Sequence, residues 1–157
     1  ASYASESLSR IICDSNKVSN NFVAEQLLKT LGAEMLDQPG TTEKGLRVVA
    51  EFLEEIGIPP EAYVLENGSG LSRNNRLSPG QIVALLTFMY EHFEVRSEFL
   101  ASLAIAGVDG TLQKRLQDTR AERRLRAKTR PATSVPAKPP PTTWRCCKMM
   151  ARWSPCR

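Results

Sequence analysis

The chain is predicted to be an α+β domain in which helices dominate. Three helical apolar patterns precede any strand signal. The β-prone stretches are short and sit beside turn residues, and a Pro-rich tail from residue 130 has no period at all. The 157 residues, 41% hydrophobic and 24% charged, suit one domain with a modest core.

Leu8, Ile11 and Ile12 recur at helical spacing and predict a first helix from about Ser7 to Val18. It delivers the chain to Ser19-Asn20-Asn21, where Ser and Asn are favoured N-cap residues ahead of Phe22, Val23, Leu27, Leu28 and Leu31. Leu31-Gly32 reads as the end of this second helix, with Gly in the position that tolerates a left-handed backbone. Thr41 or Thr42 caps a third helix with Leu46, Val49, Ala50 and Leu53 on one face, and Gly57 before Pro59-Pro60 stops it.

Tyr63-Val64-Leu65 predicts a short strand leading into the turn Asn67-Gly68-Ser69-Gly70. Ser78-Pro79-Gly80-Gln81 combines a capping box with Pro in the first turn, ahead of Ile82, Val83, Leu85, Leu86 and Met89. A shorter helix through Phe99 and Leu103 follows, then the loop Ala106-Gly107-Val108-Asp109-Gly110 and a turn or two of helix at Leu112 to Leu116. Arg124-Leu125-Arg126-Ala127-Lys128 alternates with period two, a strand with one buried face that places Lys128 beside Arg124 and Arg126.

The net charge of +4 divides unevenly. Residues 1 to 129 hold 15 of the 21 bases and all 17 acids, a net of −2, whereas residues 130 to 157 hold six bases and no acid. The tail also holds six of the ten Pro, both Trp and three of the four Cys, a change to low-complexity composition. A nucleic-acid role for the body is therefore excluded, and Arg123, Arg124 and Arg126 read as an exposed strand face without interleaved aromatics. No apolar run reaches the roughly 18 residues of a membrane span. Cys13, Cys146, Cys147 and Cys156 have neither disulfide-framework nor metal-ligand spacing with the single His92, so no metal site is predicted. His92 itself reads as a solvated helix residue.

Four stretches stand in order: KVSNNFVAEQLL, ENGSGLSRNNRLSP, AGVDGTL and RAKT. Together they resemble the serine D-alanyl-D-alanine carboxypeptidases and endopeptidases, the low-molecular-mass class C penicillin-binding proteins, over roughly residues 8 to 129. Such acyl-transferring enzymes carry S-x-x-K, a Ser-x-Asn element and K-T-G. The resemblance implies an incomplete β-lactamase/transpeptidase-like, penicillin-recognising domain over 1–129. It also implies a periplasmic or cell-envelope location, peptidoglycan stem peptides and β-lactams as partners, and no cofactor.

It further implies that Ser19 relays a proton to the leaving amine and that Asn21 holds the substrate amide. Lys128 would supply positive charge to the substrate carboxylate and the proton network, and Thr129 would offer that carboxylate a hydroxyl. Asn67 to Arg73 resembles the family's D-G-S-G-L-S-R element, with Asn67 in place of the commoner Asp, and is expected to be structural. AGVDGTL is expected to mark the family more than to do chemistry.

Two departures follow. No Ser of the 157 residues is followed three positions later by Lys, so the nucleophile motif is absent and the chain alone is expected to be inactive. Arg130 stands where K-T-G has Gly, and the Pro-rich text beyond it could not enter a central strand. A break inside a motif predicts a shift of reading frame near codon 130, which would make 130–157 disordered and non-native and leave the strand at 124 to 128 without a partner. Two alternatives from other classes remain open: a non-catalytic remnant that binds peptidoglycan peptides, and a basic tail that adheres to nucleic acid or anionic membrane.

Overall fold

The computed structural model describes residues 4–129, so Arg130, the tail and the predicted frame break lie outside the described residues. Among the described residues, five α-helices form in order: α1 (Leu8–Val18), α2 (Asn21–Met35), α3 (Thr42–Glu55), α4 (Pro79–Glu91) and α5 (Phe93–Ser102). Two short strands, β1 (Ala104–Ile105) and β2 (Arg126–Ala127), pair antiparallel with Ala104 opposite Ala127 and Ile105 opposite Arg126.

Local chemistry sets most helix starts. Ser7, Asn20, Thr41 and Ser78 each accept a hydrogen bond on the side-chain oxygen from a backbone N–H in the first turn of α1, α2, α3 and α4. At α4 the capping box is complete, with the Gln81 side chain accepting from the Ser78 N–H at 2.6 Å. Gly57, at φ +82°, follows the end of α3 as expected.

Elsewhere the structure corrects the sequence reading. Gly32 does not end α2, which runs on to Met35. It is instead a packing glycine: a Cβ there would lie 2.6 Å from the Gly45 nitrogen of α3 and 2.8 Å from Lys44 Cβ. A glycine before a polar stretch carries the same letter in either role, and only the neighbouring helix distinguishes them. The strand at 63–65 shrinks to one bridge between Val64 and Arg76. The helix at 112–116 becomes a 3-10 turn at Gly110–Leu112 followed by turns in which Leu116 and Asp118 take positive φ. His92 is exposed as expected, but it forms the joint between α4 and α5 and stacks on Phe88 at 5.2 Å between ring centres.

The strand at 124–128 is shorter than expected and is not unpaired, because β1 lies against one of its edges. Two apolar clusters result. Leu28, Leu53 and Ile58 are buried where α2 crosses α3, and Leu103, Ala104, Ala106 and Leu112 are buried around β1. The second cluster brings the end of α1 beside the end of β2, which joins Ser19 to Lys128 and Thr129 across more than a hundred residues of sequence.

Candidate functional site

The three residues at 19 to 21 divide their work. Asn20 caps α2, its Oδ1 accepting from the Val23 N–H at 3.2 Å. Ser19 ends α1 in a left-handed conformation, φ 56° and ψ 54°, a backbone state that costs an L-residue about 1–2 kcal/mol. Serine stands where glycine would be easier, and its hydroxyl is in use. Lys128 Nζ donates to Ser19 Oγ at 2.6 Å and to the Thr129 carbonyl at 3.1 Å, while Ser19 Oγ donates to that same carbonyl at 2.7 Å. Thr129 Oγ1 lies 3.4 Å from Ser19 Oγ and in hydrogen-bond contact with Thr111 Oγ1.

Sequence reasoning thus named three residues that the fold brings together, Ser19, Lys128 and Thr129. The fourth, Asn21, sits at the first position of α2, half-buried, with no side-chain hydrogen bond among the described residues. Partial burial pushes the Lys128 ammonium below the ordinary lysine range, because removal from water disfavours its charged form. A lysine with a weakened hold on its proton, 2.6 Å from a hydroxyl, can share that proton.

Sequence reasoning missed Thr111 and the lock that seats the junction. Lys17, in the last turn of α1, donates to Asp109 Oδ2 at 2.6 Å and to the Leu103 carbonyl at 2.8 Å. Asp109 Oδ1 accepts from the Ile105 N–H at 2.8 Å. Burial works to raise the Asp109 pKa, but the bond from Lys17, the Ile105 N–H and the charges of Lys17 and Arg126 outweigh it, and the carboxyl titrates below its usual range. Gly110, at φ +54°, presses its Cα so close to the Lys17 carbonyl that a Cβ would overlap it. The AGVDGTL stretch is therefore a clamp on the end of α1. An acid followed directly by glycine and a hydroxyl residue was the available signal, and only the distant Lys17 gives it meaning.

The Asn67 loop is built from its own hydrogen bonds. Asn67 Oδ1 accepts from the Gly70 N–H at 3.0 Å and from Asn75 Nδ2 at 2.9 Å, and Glu66 accepts from Ser72 Oγ at 2.5 Å and Asn74 Nδ2 at 2.8 Å. Glu25 of α2 receives the Ser69 N–H at 2.9 Å, which ties the loop to the helix that Asn20 begins. Asn replaces Asp at 67 without loss of the acceptor that closes the turn. Among the described residues no three His, Cys, Asp or Glu side chains are placed to hold a metal ion, and no helix is long and apolar enough to cross a membrane.

Comparisons with known proteins place the chain among D-Ala-D-Ala carboxypeptidases. A D-alanyl-D-alanine carboxypeptidase of Actinomadura sp. (strain R39) is 37% identical over 142 residues, 87% of this chain and 26% of its own length. A penicillin-sensitive carboxypeptidase A of Dictyostelium discoideum is 31% identical over 74% of this chain and 23% of its own length. The crystal structure of penicillin binding protein 4 (dacB) from Haemophilus influenzae superposes with a TM-score of 0.71 at 27% identity, covering 76% of this chain and 27% of that one. The chain spans about a quarter of the length of these relatives. Its fold is thus the mostly helical part of the penicillin-binding, transpeptidase-like architecture. With residues 1–137 matching it, the chain belongs to the D-Ala-D-Ala carboxypeptidase 3 (S13) family.

Proposed function

We propose that this chain carries the proton-relay and carboxylate-binding part of a serine D-Ala-D-Ala carboxypeptidase or endopeptidase site that acts on peptidoglycan stem peptides in the periplasm or cell envelope. The observation that carries the reading is the contact of Lys128 Nζ with Ser19 Oγ at 2.6 Å, beside the Thr129 hydroxyl. When an acyl-serine forms, the departing amine needs a proton. Ser19 gives its hydroxyl proton to that nitrogen and takes one from the Lys128 ammonium, whose lowered pKa eases the transfer. Lys128 and Thr129 hold the C-terminal carboxylate, and Asn21 takes the substrate amide.

The chain by itself forms no acyl-enzyme, because no Ser of the 157 residues has a Lys three positions on. A second reading, a remnant that binds peptide without cleaving it, is favoured by one observation: Ser19, Lys128 and Thr129 are already assembled among residues 4–129. Incubation of the chain with benzylpenicillin followed by intact-mass measurement is expected to show no acyl adduct, and an adduct would overturn the reading of inactivity. NMR titration with an N-acetylated D-Ala-D-Ala peptide is expected to saturate in the millimolar range and to fail in Asn21→Ala and Lys128→Ala. No binding at those concentrations would sink the remnant.

A further inference from the structure

Thr111 is the residue at this junction that neither the motif pattern nor the relay accounts for. Its hydroxyl touches Thr129 Oγ1, and Thr129 is its one side-chain partner among the described residues. Each hydroxyl has a single proton to give and two lone pairs to receive. The Ser19 proton goes to the Thr129 carbonyl, and one Ser19 lone pair faces Lys128 Nζ. The Thr129 proton is thus the variable one. It points either at Thr111 or Ser19, or away from both.

We infer that Thr111 is a positioning residue whose hydroxyl donates to Thr129 Oγ1 and so turns the Thr129 proton toward a bound carboxylate. This rests on the reading of Lys128 and Thr129 as a carboxylate site. A carboxylate accepts only, so Thr129 must donate to it. If Thr129 instead spent its proton on Thr111, its lone pairs would face the anion and repel it. With Thr111 donating, the two hydroxyls run in one direction, and each bond polarises the next.

The fold holds Thr111 where this requires. Thr111 lies in the 3-10 turn Gly110–Leu112, directly after Gly110, which abuts the Lys17 carbonyl, and two residues after Asp109, which pairs with the Lys17 ammonium. Lys17 in turn precedes Ser19 by two residues. The same end of α1 therefore fixes both Ser19 and Thr111 against the end of β2.

The test uses the full 157-residue chain and two probes, Nα-acetyl-D-Ala-D-Ala with a free C-terminal carboxylate and the same peptide as its C-terminal amide, titrated by NMR. Wild type is expected to prefer the carboxylate. Thr111→Val is expected to weaken carboxylate binding about fivefold, the loss of one ordinary hydrogen bond, with the affinity for the amide unchanged, and Thr111→Ser is expected to restore the preference. Thr111 is exposed, so the melting temperature should stay within a degree or so of wild type in both variants. Retention of the preference in Thr111→Val with its loss in Thr129→Val overturns the role of Thr111 and leaves the carboxylate site standing. Absence of any preference in wild type overturns both.

Discussion

Where α2 crosses α3, the backbone of Gly45 lies against Leu28, and Gly32 approaches Gly45 and Lys44, so the two helices are held by close apolar contact with no room for a methyl group. At the junction of α1 with β2 the means are the opposite. Charged and hydroxyl side chains meet there, partly exposed, around a serine in a left-handed backbone. The first region trades side chains for proximity and the second trades backbone ease for hydroxyls. Stability should therefore reside mainly at the helix crossing, and chemistry at the junction.

The largest expected effect tests the crossing. In Gly45→Ala the new Cβ would overlap the Leu28 carbonyl and stand 2.7 Å from Leu28 Cγ. Since Leu28 is buried, neither neighbour can move freely. A loss of about 3 kcal/mol is expected from this overpacking, roughly 10 °C in Tm for a chain of this size, read by circular dichroism. A variant as stable as wild type would mean that the crossing is looser than drawn and that the contrast with the junction fails.

An intermediate effect sharpens the boundary between the two regions, because the Lys17–Asp109 pair is structural yet serves the junction. Asp109 has a depressed pKa in the folded chain. Its stabilising contribution is thus present above the unfolded value of about 3.9 and is lost as pH falls through the folded value. Asp109→Asn should cost about 1 kcal/mol at pH 7, since the carboxylate is partly exposed and its ion pair is screened. It should also flatten the acid limb of the stability profile below about pH 4. Denaturant melts at pH 7 and pH 3 would show it, and an unchanged difference between the two pH values would remove Asp109 from the account.

How far the sequence revealed these two regions follows from what each is made of. Caps are local, so Ser7, Asn20, Thr41 and Ser78 were readable as helix starts from a few letters each. The residues proposed for the site, Ser19, Asn21, Lys128 and Thr129, were nameable because they fall into spaced elements of a known pattern, and three of the four lie within hydrogen-bond reach of one another. Gly32 was misread because its role depends on Gly45, thirteen residues on. Thr111 and Asp109 went unassigned because their partners, Thr129 and Lys17, are 18 and 92 residues away. The pairing of β2 with β1 was equally invisible, since a two-residue strand has no period to read.

The smallest expected effect is the most discriminating, because at Ser19 the two regions' logic meets in one residue. Replacement by glycine relieves a left-handed strain of about 1–2 kcal/mol. Against this stand about 0.5–1 kcal/mol of added chain entropy and the net worth of the lost hydroxyl bonds, about 1 kcal/mol. These terms nearly cancel, so Ser19→Gly should stay within about 0.5 kcal/mol of wild type. Ser19→Ala keeps the strain and loses the same bonds, so it should fall about 1 kcal/mol below wild type. Equilibrium denaturation of the three proteins decides the matter. Glycine above alanine by roughly that margin would show that the backbone at residue 19 favours glycine and that serine is present for its hydroxyl. Glycine and alanine equally destabilised would show that the left-handed turn carries no strain worth relieving, and the position would then argue nothing about function.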